Sequence, residues 1–428
     1  MKYQIWKNNG VNYEVDDAFG QLQMIGVIAL LKDAARSQAF QVRIGGSIMA
    51  CPVIHDGVAY IGANDKNLYA LDAETGEELW RFSTNNVVST PRVSEGKIYF
   101  GSFDQNLYAL SLKGELLWRF DAKGEVFAIP CVHEGVVYVG SRSGNLYAID
   151  SETGKELWRY STHGPITSSA TIYKDVIYFG SFDQNLYALS LQGELLWRFT
   201  GNGGFCSPAI YNERIYCASY DQRFHCISLE GKELWSFKTN GTMPSLPPTV
   251  RDGVAYFGCR DAHLYAVNAD TGELIWKHKA DNVIYSSPAF MDNKVFVGAY
   301  DNNFYGIDAG TGRVLWNFPT NGIIISSPTA YKNKIYFGCW DCNLYALTTE
   351  GDLSWKFHTS LSFQSPIDVE TPGQAKTFEV AWQPSVEAEK KTREEEKDIA
   401  DYGEFKGTYI DTSKTDYLGR KRKGYKTR

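Results

Sequence analysis

The chain has 428 residues, 43% of them hydrophobic and 14% aromatic, which is enough apolar material for a large buried core. Its formal charge of −7 is uneven: residues 405–428 carry eight Lys or Arg against two Asp, leaving 35 basic and 48 acidic groups in residues 1–404. An acidic body of this kind repels polyanions, so nucleic acid is not expected to bind along its whole surface. The eight Cys, scattered through so long a chain, form no disulfide framework.

Residues 1–17 are polar and aromatic and read as an arm. Glu14, Asp16 and Asp17 stand where a secretion signal would be basic, and no small-residue cleavage site follows a proper apolar core. The apolar run at residues 25–31 is far short of the roughly 20 residues that span a bilayer. A cytoplasmic protein with reduced thiols and no transmembrane segment is expected. Residues 16–38 read as a helix, with Asp16 or Asp17 as its cap and Phe19, Leu22, Ile25, Ile28 and Leu31 at helical spacing. Met24, Val27, Ala29 and Leu30 widen that stripe almost all round, as in a helix buried against a body; a partner-binding or membrane-contacting face is the alternative.

From residue 45 the chain repeats. The stretch 99–120, YFGSFDQNLYALSLKGELLWRF, returns at 178–199 with one change, Lys113 becoming Gln192. A marker Trp falls at Trp80, Trp118, Trp158, Trp197, Trp235, Trp276, Trp316 and Trp355, at intervals of 38 to 41 residues. Each unit opens on a small-residue and proline step such as Ser286-Ser287-Pro288, then holds four short aromatic or β-branched runs broken by Asn, Asp and Gly. A period of this length made of short strands means propeller blades, each burying its faces only against its neighbours. The expected architecture is all-β: an eight-bladed propeller of four-stranded antiparallel blades over residues 45–369, after an N-terminal arm and helix (1–44) and before a charged extension (370–428).

The repeat Asp72-Ala73-Glu74-Thr75-Gly76-Glu77-Glu78-Leu79-Trp80, with Tyr60-Ile61-Gly62 before it, resembles the pyrroloquinoline-quinone-type propeller repeat with its tryptophan-docking motif. That superfamily includes quinoprotein alcohol dehydrogenases and the propeller of the bacterial outer-membrane assembly lipoprotein. The resemblance covers about residues 45–358. It implies that the eight Trp pack between neighbouring blades, and it says little of function, which lives in sites grafted on folds. Quinoprotein dehydrogenases resembling this fold carry two adjacent Cys beside the cofactor, a calcium-binding Glu and Asn, and an Asp base. No Cys-Cys pair occurs here, nor a Gly-rich phosphate loop or an H-E-x-x-H motif. A non-catalytic scaffold with no cofactor is therefore expected, a quinone- or metal-dependent oxidoreductase being the rival.

The second turn of each unit carries Asp65, Asp104, Asp183, Asp221, Asp261, Asp301 or Asp341, and Ser143 in the third unit. Repetition favours local turn bonding over an acidic metal collar. The symmetry breaks in Cys339-Trp340-Asp341-Cys342, a C-x-x-C without a second pair of ligands, and in the fifth unit, where Cys206, Cys217, His225 and Cys226 cluster; core packing is expected for both. The loops entering the first strands, with Asn85, Asn86, Asn240, Asn282 and Asn321, are polar and expected to share one face with the Asp turns as a partner surface.

At the ends of the propeller, residues 40–44 and 363–367 read as spare strands, either of which can close the ring. Residues 377–382 hold one more expected strand, and residues 385–402 a charged helix or linker. The last stretch is basic: Arg420, Lys421, Arg422, Lys423, Lys426 and Arg428, with Tyr425 and Tyr417 interleaved. It is expected to bind a protein partner or dock within a larger assembly. Nucleic acid, including a ribonucleoprotein surface, is the alternative, since the two Tyr can stack on bases. Docking on the acidic propeller is a third possibility.

Overall fold

A computed structural model describes residues 2–6, 12–16 and 46–359. The first two segments, Lys2–Trp6 and Asn12–Asp16, pair as an antiparallel hairpin in a unit of their own. Asp16, read from sequence as a possible helix cap, is the last residue of that hairpin. The expected helix beyond it, the spare strands at 40–44 and 363–367, and all of residues 370–428 lie outside the described residues.

Residues 46–359 form a ring of eight four-stranded antiparallel sheets, each built from four consecutive strands. The blades span 53–83, 92–121, 131–161, 171–200, 209–238, 249–279, 289–319 and 329–358. First strands lie toward the axis, where Val53–His55 meets both Arg92–Ser94 and Thr329–Tyr331. The fourth strands form the outer rim.

The β-branched and aromatic composition of the second and third strands explains their burial on both faces. In blade two, Lys97–Gly101 and Asn106–Ser111 alternate sides. Ile98, Phe100, Tyr108 and Leu110 pack against Tyr60, Leu68 and Ala70 of blade one. Tyr99, Leu107 and Ala109 pack against Val137, Val139 and Tyr147 of blade three. The core is thus a series of layers between blades, and burying a side chain such as Ile98 contributes about 1.5–3 kcal/mol.

The marker Trp join these layers as expected. Trp80 Nε1 donates to the Leu112 carbonyl of the next blade at 3.2 Å, and Trp118, Trp158 and Trp197 donate to Ser151, Leu191 and Leu229 at 3.0, 3.0 and 2.8 Å. Trp235, Trp276 and Trp316 do the same to Ala269, Ala309 and Thr349 at 3.1, 2.9 and 3.1 Å. The eighth, Trp355, reaches across the seam to Ala73 of blade one at 3.1 Å. Each indole lies against the turn glycine of the blade it docks on. Gly114, at φ 83°, is one: a Cβ there would stand 2.8 Å from the Trp80 ring.

In the turn between the third and fourth strands of blade one, Asp72 Oδ1 accepts from the Glu74 and Thr75 amides at 2.9 and 2.8 Å, holding the chain as it swings back to Trp80. The seam closes through side chains and loops: the Ile48 amide donates to the Cys339 carbonyl at 3.0 Å, and the Thr359 hydroxyl to the Gly46 carbonyl at 2.6 Å. Among the described residues no blade borrows a strand from the other end of the ring.

Candidate partner-binding face

Two kinds of loop share one face of the disc, because five of the turn aspartates tie them together. The Asn85 amide, in the loop entering blade two, donates to Asp104 Oδ2 at 3.1 Å, while Asp104 Oδ1 accepts from the Asn106 amide within its own turn at 3.1 Å. Tyr108, four residues on, donates its hydroxyl to the same carboxylate at 2.7 Å. The amides of His163, Asn240, Asp281 and Asn321 meet Asp183, Asp261, Asp301 and Asp341 in the same way at 3.0 to 3.2 Å. Five of these carboxylates thus staple an entering loop as well as forming a turn. The opposite face carries ion pairs between blades, such as Lys294 with Glu350 at 2.6 Å and Lys334 with Glu74 at 2.6 Å.

The sequence-predicted Asn residues sit on this face. Asn85, Asn240, Asn282 and Asn321 are exposed and Asn86 is half-buried. The side chains of Asn86 and Asn282 bond the following amides, of Val87 and Val283, at 2.8 Å. Part of their polarity is therefore spent on shaping the loops. Arg420, Lys421, Arg422, Lys423, Tyr425, Lys426 and Arg428 lie outside the described residues.

A more distinctive set stands one residue before each turn aspartate, or before Ser143 in blade three: Asn64, Phe103, Arg142, Phe182, Tyr220, Arg260, Tyr300 and Trp340. Residues around it recur from blade to blade while this position changes. Its side chains meet each other and the entering loops on the axial side of the face. Phe182 and Tyr220, from neighbouring blades, have ring centroids 4.9 Å apart, and Phe103 lies 6.1 Å from Phe127 in the next loop. The Arg260 guanidinium stands 5.2 Å over the Tyr285 ring, which is 6.2 Å from Tyr300. Burial and the neighbouring Tyr285 hold the Tyr300 phenol well above its ordinary range. Arg142 is paired with Glu125 at 2.9 Å. The indole Nε1 of Trp340 is buried and makes no hydrogen bond among the described residues. Sequence reasoning passed over this set, although its signal was there: variation at one place in an otherwise repeated turn.

Asp65 differs from the other turn aspartates. It is buried, accepts a hydrogen bond from the Tyr69 hydroxyl, and burial raises its pKa to about 6 against the favourable pull of Tyr69 and Asn67. In blade five, His225 takes the place of the stapling Tyr; its Nδ1 lies 2.9 Å from Glu233 Oε1 and its ring packs against both Phe199 and Phe205. Cys206, Cys217 and Cys226 are buried beside it as free thiols. The C-x-x-C is buried too. Burial raises both thiols, that of Cys342 to about 12, and neither is poised as a thiolate. Among the described residues no group of three or more His, Cys, Asp or Glu is placed to hold a metal ion, and no helix is long and apolar enough to cross a membrane.

A family model described as outer membrane protein assembly factor BamB matches residues 25–127, 104–204, 180–280 and 218–366. The chain belongs to this BamB family. No curated protein sequence matches it significantly. Solved structures share the BamB-type propeller at low identity, which shows the fold alone. The crystal structure of BamB from Moraxella catarrhalis matches with TM-score 0.58 and 17% identity over 73% of this chain and 96% of that one. The computationally designed Ika8 protein matches with TM-score 0.65 and 16% identity over 72% and 98%. Quinohemoprotein alcohol dehydrogenase from Comamonas testosteroni matches with TM-score 0.63 and 15% identity over 72% and 76%.

Proposed function

We propose that this BamB-family propeller is a non-catalytic assembly scaffold that holds a protein partner on its loop face. The observation that carries the reading is the varied set Phe103, Arg142, Phe182, Tyr220, Arg260, Tyr300 and Trp340. In a ring of near-copies, repeated residues serve the fold, and residues that break the repeat are free to serve recognition. Aromatic side chains and Arg are the types that dominate binding energy at protein interfaces. The family's description as an assembly factor supports the same class of role. The exposed Asn85, Asn240, Asn282 and Asn321 form the polar surround, and the basic end from Arg420 to Arg428 adds an electrostatic contact for an acidic partner. The eight free cysteines support a reducing compartment, and the cytoplasm is inferred on that basis.

The test is site-specific photo-crosslinking in source cells, with the reactive side chain at position 182 or 260 and, as a control on the opposite face, at position 294. Crosslinks to one defined protein from the first two positions and not from the third support the reading. A quinone absorbance band, or stoichiometric calcium in the purified protein, would replace it with the oxidoreductase alternative.

A further inference from the structure

The outer rim repeats with a period of two blades. In blades two, four and six the fourth strand exposes two adjacent aliphatic side chains: Leu116 and Leu117 (48% and 47% exposed), Leu195 and Leu196 (45% and 51%), and Leu274 and Ile275 (45% and 47%). Blade eight keeps one, Leu353 (46%). Directly after the next Trp comes an exposed cation, Arg119, Arg198, Lys277 or Lys356, none of which makes an ion pair among the described residues. The odd blades each expose one leucine on this strand, Leu79, Leu157, Leu234 or Leu315, and differ at the cation. There the cation is held at 2.6 Å by a glutamate of the same strand, Arg81 by Glu78 and Arg159 by Glu156, or is replaced by Ser236 or Asn317. The nearest glutamates of blades two and six turn back instead: Glu115 meets the Ser111 hydroxyl and Glu273 the Thr271 hydroxyl, both at 3.3 Å.

These strands are sheet edges. Leu116–Asp121 pairs with Asn106–Ser111 on its inner side and with no other strand among the described residues. A register shift between Leu116 and Trp118 leaves Trp118 through Asp121 as a regular edge, with the leucine pair at its start. Long exposed apolar edges invite pairing by another chain. Leu117 is the unpaired residue of that bulge, and beyond it Arg119 projects from the regular edge, so a strand added alongside would present alternate residues to the cation with the leucine pair at one end.

We infer that the rims of blades two, four and six, and more weakly of blade eight, accept an extended segment of a partner protein as a fifth strand. That segment carries a carboxylate opposite the rim cation and an aliphatic residue over the exposed leucines. The unpaired cation sets the sign of the partner's charge, the leucine pair supplies the apolar seat, and the odd blades, with their cation already satisfied or absent, are disfavoured. The acidic body does not prevent this, because at physiological salt its charges are screened beyond about 8 Å while the rim cation is in direct contact.

The probe is a fluorescein-labelled eight-residue peptide alternating threonine with valine and glutamate in turn, so that valine and glutamate share one side; the control replaces glutamate with lysine. Anisotropy with the full-length protein is expected to show saturable binding of the glutamate peptide, at least tenfold tighter than the lysine peptide and weakened by salt. Reversing Arg119, Arg198, Lys277 and Lys356 to Glu should exchange that preference, whereas Arg81→Glu with Arg159→Glu should change it less than twofold. Hydrogen exchange read on the unmodified protein is independent of any variant's folding, and the glutamate peptide should slow exchange at residues 116–121 and 195–200. No preference between the two peptides, equal loss from the odd-blade variant, or unchanged exchange at these strands would overturn the inference.

Discussion

The turn glycines show how one residue serves two constraints. Gly96 and Gly114 both have positive φ, 70° and 83°, but a Cβ at Gly96 meets nothing within 4 Å whereas one at Gly114 runs into the Trp80 indole. Gly96→Ala should therefore cost only the left-handed backbone penalty of about 1–2 kcal/mol. Gly114→Ala should cost clearly more, because the docked Trp must shift. Urea denaturation of the two variants separates the terms, and equal losses would mean that the indole is not seated there. Asp65 gives a pH signature. Its folded pKa of about 6 lies above the unfolded value near 4, so the folded state keeps a proton that the unfolded state has released. Its contribution to stability is thus lost as pH rises from about 4 to about 6, by about 3 kcal/mol at most, and levels off above. The melting temperature of Asp65→Asn relative to the parent should rise across that window; a flat difference would show that Asp65 titrates normally.

At the scale of the element, the Trp spacing and the four apolar runs per unit made the blades legible, because each blade depends on local turn chemistry and on contacts with adjacent copies. The face shared by the Asn loops and Asp turns was legible for the same reason. What the sequence left hidden was the meeting of residues distant in the chain. Phe103 against Phe127 and Arg260 over Tyr285 depend on how loops of successive blades converge, and no period reports that. The closing of the ring was hidden too: two spare strands looked available, yet among the described residues the seam is held by Trp355 docking together with loop and side-chain bonds such as Ile48 to Cys339 and Thr359 to Gly46. Trp355→Ala at the seam should then destabilise as much as Trp197→Ala within the ring, about 3–5 kcal/mol each. A much smaller loss for Trp355→Ala would mean that another segment holds the seam.

For the whole molecule, a propeller built of near-copies leaves function to whatever departs from the repeat. The basic end departs most in charge, being a short cationic stretch on an acidic chain. Deleting residues 416–428 should leave the melting temperature nearly unchanged and weaken partner capture most at low salt; an early-melting truncation would make the segment part of the fold. The loop face departs most in side-chain type, and the account rests on it. Its most direct measurement compares the affinity of the crosslinked partner for the parent protein and for Phe182→Ser combined with Arg260→Glu, with Lys294→Glu as control, all at matched melting temperatures. Binding is expected to be at least tenfold weaker for the loop-face variant and to change less than twofold for the control. Undiminished binding by the loop-face variant would contradict it.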